Sequence, residues 1–139
     1  RYILKIWKVN IYYFAYGTNL NKKIFLKRYR NAKIIKKYYL KNFKIVFRTK
    51  YKVPDLQRKL KSKVPGIIYK IDKKIEKRID KYEDYPNMYI KKYFKEKKNK
   101  IMFYYMKKKS LIVKPSGYYF KIMMEGYRQN NFKFKSFNL

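Results

Sequence analysis

The chain has 139 residues, enough for one domain with a real core, and 47% of them are hydrophobic while aromatics reach 21%. It carries 40 Lys+Arg against 8 Asp+Glu, a formal charge of +32, and contains neither cysteine nor histidine. The first absence excludes disulfides, thiolate zinc sites and cysteine nucleophiles, and the second excludes a Ser–His–Asp triad, a histidine-ligated metal and an imidazole base. A proton-transfer enzyme built from this chain must use a carboxylate, a lysine or a tyrosine. The carboxylates are few: Asp55, Asp72, Glu76, Asp80, Glu83, Asp84, Glu96 and Glu125.

Two readings of the charge stand side by side. A large positive excess favours polyanions, and non-specific binding to nucleic acid at low salt is expected on either reading. The excess is mostly lysine, however, whereas arginine is the residue that forks onto phosphates and base edges. The over-used residues Lys, Tyr, Ile, Asn and Phe also share A/T-rich codons, so codon bias alone would raise them together.

In chain order, the segment Arg1–Tyr13 is interrupted by Lys5 and Lys8 and lacks a small-residue cleavage pattern, so it reads as a strand or the leader to one and not as a signal peptide. The first residue is not methionine, and a few preceding residues are expected. Lysines break every apolar run before it reaches the 18 or so residues of a membrane span, so no membrane partner is expected, and a cytoplasmic location suits a cysteine-free chain. Ile11–Ala15 is a strand that runs into the glycine turn Tyr16–Gly17–Thr18–Asn19. A helix over about Asn21–Arg30 follows, with Asn19 or Asn21 as its cap. Leu40–Phe47 alternates, with Phe43, Ile45 and Phe47 on one face and Asn42, Lys44 and Val46 on the other, which predicts a strand. Arg48–Lys63 reads as an irregular loop, and Val64–Tyr69 as a strand begun by a turn. Asp72–Tyr82 is the clearest helix, with Ile71, Ile75, Ile79 and Tyr82 as its apolar stripe. Tyr85–Pro86–Asn87 forms a turn. Met88–Phe94 and Lys100–Met106 are strands joined by a charged hairpin at Lys95–Asn99. Pro115–Ser116–Gly117 opens a last helix from Tyr118 to about Glu125, stopped by Gly126, and the tail Tyr127–Leu139 has no clear period. With no repeat, no linker and no regular βαβ alternation, the chain 1–139 reads as one α+β domain with a mixed, barrel-like sheet and a few flanking helices.

Two places suggest chemistry. Glu83 lies four residues after Ile79 and eight after Ile75, at the edge of the core-facing stripe. A carboxylate there is partly desolvated, which raises its pKa and makes it a usable proton carrier. Alternatively, the helix ends at Tyr82 and Glu83 points to solvent. The Tyr16–Asn19 turn joins a strand to a helix and could hold an anion or oxyanion on its N–H groups, or be a plain turn. The abundant tyrosines read mostly as strand packing.

Tyr13–Phe14–Ala15–Tyr16–Gly17–Thr18–Asn19–Leu20–Asn21 resembles the signature of the gamma-glutamyl cyclotransferase family, with Thr18 in place of its serine. Further likenesses are Arg28, Ala32, Leu40, Phe43 and Phe47; then Gly66–Ile67–Ile68–Tyr69; then Ile79–Asp80–Lys81–Tyr82–Glu83 with Pro86 and Tyr89; and finally Tyr105, Pro115–Ser116, Tyr119, Ile122 and Gly126. The resemblance spans about residues 11–127. Asp84 departs from it, standing where glycine usually follows the glutamate. Residues 48–63 carry no family motif.

The resemblance implies an enzyme that closes the glutamyl part of gamma-glutamyl amides to 5-oxoproline and expels the amine, without metal or other cofactor. It implies Glu83 as the acid–base carboxylate. It implies Tyr16, Gly17, Thr18, Asn19 and Leu20 as the loop that holds the glutamyl carboxylate or the oxyanion, with Tyr89, Tyr105, Ser116 and Tyr119 lining the pocket. Asn19 points to gamma-glutamyl amino acids as substrates, with glutathione and gamma-glutamyl amines as alternatives. A monomer or homodimer is expected. The rival readings are an inactive relative acting as a binding module, for which Asp84 is the main argument, and a basic polyanion binder.

Overall fold

A computed structural model describes residues 10–133. Its elements in order are β1 (Ile11–Ala15), a 3-10 turn (Thr18–Leu20), α1 (Lys22–Arg28), β2 (Lys33–Arg48), β3 (Val53–Ile71), α2 (Lys73–Tyr82), β4 (Tyr89–Glu96), β5 (Asn99–Met106), β6 (Ile112–Val113) and α3 (Gly117–Asn130). What the sequence suggests for residues 1–9 and 134–139 falls outside the described residues.

The strands form one sheet in the order β4-β5-β1-β3-β2-β6, in which β1 and β5 run parallel and every other neighbouring pair is antiparallel. Strands β4 and β2 are not neighbours in this order, yet Phe94 of β4 stacks on Tyr38 of β2 with ring centroids 5.3 Å apart. Lys36 and Glu96 pair at 2.9 Å across the same gap. These contacts require the sheet to curl into a half-barrel, with Phe14 of β1 edge-on to both Tyr38 and Phe94 inside it. The α+β class with a mixed, barrel-like sheet and flanking helices is therefore as the sequence predicts.

The main departure lies in the segment read as a loop. Strand β2 is twice the expected length, and residues 53–63 belong to β3, with which β2 pairs along nearly its whole length. Backbone pairing makes this arm a strand pair although its outer part is rich in exposed lysine and arginine. Cationic side chains lie over aromatic rings along it, Lys63 on Tyr39 and Arg58 on Phe43. The alternation of the arm is also broken, because Asn42 takes a φ of 68° beside a register shift. Beyond that shift the ladder is regular from Phe43 to Arg48, so Val46 lies on the face opposite Ile45 and Phe47 as expected, and its burial shows that both faces of β2 are covered there. Val64–Tyr69 needs no turn before it, since it continues β3.

The helices keep closer to expectation at their starts than at their ends. Asn21 caps α1, its Oδ1 accepting from the Ile24 N–H at 3.2 Å, but α1 stops at Arg28. Asp72 caps α2 by accepting from the Ile75 N–H at 2.8 Å, and Ile75 and Ile79 are buried. Helix α3 does not stop at Gly126. It continues to Asn130 and is capped by Asn131 in the left-handed conformation, φ 57°. Gly126 is there for close approach: a Cβ would lie 2.3 Å from Leu20 Cδ1 and 3.1 Å from the backbone of Asn21. In an unconstrained helix Gly→Ala gains about 1 kcal/mol. Here Gly126→Ala is expected to lose about 1–3 kcal/mol from overpacking, read as a lower midpoint in urea unfolding.

Candidate active site

Glu83 is placed by the way α2 ends. The Asp84 N–H donates to the Lys81 carbonyl at 3.2 Å and the Tyr85 N–H to the Asp80 carbonyl at 2.9 Å. This is a Schellman ending, with Asp84 as its left-handed residue at φ 50°. Glycine suits that position best, and aspartate is among the few other residues that occupy it readily. Asp84 is exposed and accepts from Asn87 Nδ2 at 3.3 Å. The substitution thus keeps the turn a glycine would make.

The helix does end at Tyr82, but Glu83 turns inward. Its side chain lines a cavity of about 350 Å³, and the residue is half-buried, neither sealed nor exposed. Among the described residues no hydrogen bond or ion pair reaches its carboxylate. Burial pushes its pKa from 4.5 up to about 8. Lys91 of β4 is engaged by other acids, lying 2.7 Å from Glu76 and 2.8 Å from Asp80.

The strand-to-helix turn lines the same cavity as Glu83. Its first N–H groups have no acceptor within the turn itself. The turn is held from below: Tyr69 donates to the Asn19 carbonyl at 2.8 Å, and Asn19 Nδ2 donates to the Tyr13 hydroxyl at 3.0 Å. From the side, Asn21 Nδ2 donates to the Ile122 carbonyl of α3 at 3.1 Å, and Gln129 Nε2 donates to Asn21 Oδ1 at 2.9 Å. Thr18 and Tyr82 hydroxyls are 3.1 Å apart, which joins the turn to the end of α2.

The remaining walls are largely aromatic; among the described residues, eight of the fifteen that line the cavity are Tyr or Phe. Tyrosine therefore serves this cavity as well as the strands. Of the residues singled out in the sequence, Tyr16, Gly17, Thr18, Asn19, Glu83, Tyr89 and Tyr119 line the cavity. Leu20, Tyr105 and Ser116 do not. Leu20 is fully buried beneath the turn, against α3. Tyr105 faces the other side of β5, its ring meeting Phe103, Lys92 and Lys109. Its neighbour Tyr104 takes the cavity wall, with its hydroxyl on Asp80 Oδ1 at 2.5 Å. Ser116 precedes α3 and accepts from Lys52 Nζ at 2.6 Å. Sequence reasoning missed Tyr13, Tyr51, Tyr82 and Tyr104. Strict alternation along β5 would have separated Tyr104 from Tyr105, but both faces of that strand are covered and neither face is marked by polarity.

Residues 13–127 match the family described as gamma-glutamyl cyclotransferase, AIG2-like. The chain belongs to that family. Among solved structures it is similar to an uncharacterised human protein, loc79017, at 21% identity and a TM-score of 0.76 over 93% of this chain and 85% of the other. It is similar to a gamma-glutamyl cyclotransferase at 21% identity and 0.75, over 94% and 85%. A third likeness is to YkqA from Bacillus subtilis, at 18% and 0.73, where 91% of this chain covers 51% of that one. At these identities the likeness shows a shared fold. No curated protein matches by sequence.

The raised pKa of Glu83 has a consequence for stability. The folded state holds this proton more tightly than the unfolded chain does, so stability falls as pH rises from 4.5 through about 8. Glu83→Gln removes that penalty. The Tm of the variant relative to wild type is expected to climb with pH across this window and then level off. A difference that does not change with pH would mean that Glu83 titrates as an ordinary carboxyl.

Proposed function

We propose that this family member converts gamma-glutamyl amino acids or peptides to 5-oxoproline and a free amine, with Glu83 as its proton carrier. The observation that carries the reading is a carboxylate of raised pKa, unpaired among the described residues, in an aromatic cavity that it shares with the Gly17–Asn19 turn. In this chemistry the nucleophile is the substrate's own alpha-amine, so the protein needs no cysteine, histidine or metal. Ring closure is intramolecular, and holding the folded-back conformer removes much of its barrier.

The steps balance with one carboxylate. Glu83 takes a proton from the substrate ammonium, and the freed lone pair forms the C–N bond to the gamma-carbonyl as the C=O π pair moves onto oxygen. When that pair returns, the bond to the leaving nitrogen breaks and Glu83-H protonates it. The proton still on the ring nitrogen passes to Glu83 and on to the released amine. A carboxyl titrating near neutrality suits both transfers. The N–H groups of Gly17, Thr18 and Asn19 are proposed to hold the anionic part of the substrate, with Tyr89 and Tyr119 beside them.

The test is 5-oxoproline release from gamma-glutamyl dipeptides, glutathione and gamma-glutamyl amines. Glu83→Gln is expected to lower kcat/KM by about 10²–10⁴ with the circular dichroism spectrum unchanged. A wild type that releases nothing from any of these substrates would overturn the reading. So would activity that survives Glu83→Gln but disappears on removal of surface lysines.

A further inference from the structure

A phenol has one proton, and the destination of each buried tyrosine's proton around the cavity can be followed. Tyr16 gives its proton to the Tyr104 carbonyl at 2.8 Å, Tyr89 to the Pro54 carbonyl at 2.7 Å, and Tyr104 to Asp80 at 2.5 Å. Tyr13 differs. Its oxygen is the acceptor of the Asn19 amide at 3.0 Å, and among the described residues no acceptor takes its own proton. Yet Tyr13 is only 3% exposed, and it lines the same cavity as Glu83. A buried hydroxyl with its donor unused is costly unless something in the cavity receives it.

We propose that Tyr13 is a second catalytic residue, donating its hydroxyl hydrogen bond to the gamma-carbonyl oxygen as that oxygen becomes an oxyanion, with Asn19 setting the direction of the phenol. This rests on the cyclotransferase reading and adds to it a division of labour. Tyr13 meets the charge that develops during the reaction, so the N–H groups of Gly17–Asn19 are left for the substrate carboxylate. Among the described residues the cavity lining contains no lysine or arginine, so the donors it offers to the two anionic groups are neutral. The proton of Tyr13 is shared and not transferred; the electron pair that arrives on oxygen returns to carbon when the leaving amine departs. Burial and the charge of Glu83 both hold the Tyr13 phenol well above its ordinary pKa, which keeps it a donor. The anchoring is rigid, because Asn19 itself is fixed by Tyr69.

Two measurements test this on wild type, Tyr13→Phe and Asn19→Asp: steady-state 5-oxoproline release, and calorimetric binding of a glutamate whose gamma-carboxyl is replaced by a tetrahedral phosphonate. An interaction made chiefly in the transition state predicts that Tyr13→Phe lowers kcat by about 10²–10³ with KM nearly unchanged. It also predicts phosphonate binding weaker by about tenfold or more. Asn19→Asp offers the phenol an acceptor and turns its proton away, so it should reproduce the loss in kcat and add little to it in the double variant. Wild-type kcat and phosphonate affinity in Tyr13→Phe would overturn the role of Tyr13 and leave that of Glu83 standing. If wild type itself is inactive, the cyclotransferase reading fails. Phosphonate binding then decides Tyr13 alone: weakening in Tyr13→Phe supports a donor aimed into the cavity, and no binding or no change overturns it.

Discussion

The cavity depends on how closely α3 approaches the turn after β1. Gly126 lets the helix come down on Leu20 and the backbone of Asn21 with no side chain between them. That proximity brings the Asn21 side chain within reach of both the Ile122 carbonyl and Gln129, and Gln129 Oε1 within 2.8 Å of the Lys22 N–H. One asparagine thereby caps α1 and ties it to α3. The turn is fixed from outside, and among the described residues no acceptor takes the N–H groups of Gly17, Thr18 and Asn19. A helix half a turn further away would leave the same residues as a loose strand-to-helix connection.

The wall around Glu83 obeys a different constraint, that no cation among the described residues pairs with it. In a chain with 40 lysines and arginines this is an achievement of placement. The inward-leaning cations are bound to other acids: Lys91 to Glu76 and Asp80, and Arg48 and Lys109 to Asp55, at 2.7–2.9 Å. Tyr104, whose hydroxyl donates to Asp80, lines the cavity beside the Lys91 pairs. A paired Glu83 would titrate as an ordinary acid and lose its use as a proton carrier at neutral pH.

Asp55 does for the sheet what Asn21 does for the helices. It is fully buried on β3 and accepts from Arg48 at 2.8 Å, Lys109 at 2.9 Å and the Met106 N–H at 2.8 Å. These bonds hold the end of the β2–β3 arm against the end of β5 and position Pro54, whose carbonyl receives Tyr89. A buried carboxylate is tolerated when such partners surround it. The residues read as a loop between 48 and 63 therefore hold the one acid that fastens this side of the cavity.

The sequence by itself determined the elements whose signals are local: the cap and stripe of α2, the β4–β5 hairpin, the glycine turn after β1, and the limits set by missing cysteine and histidine. It also singled out Glu83, because a carboxylate at the edge of an apolar stripe is visible in spacing. The length of the β2–β3 arm was not legible, since its stability comes from pairing between distant strands while its lysine-rich surface resembles a loop. Gly126 could be read as a helix stop because a close contact with Leu20 leaves no local mark. Tyr104 and Tyr105 look alike in sequence, and only the packing of helices on one side of β5 and the half-barrel on the other separates them. Proton direction is the least local property of all. That Tyr13 accepts where Tyr16, Tyr89 and Tyr104 donate follows from which group each phenol meets across the fold.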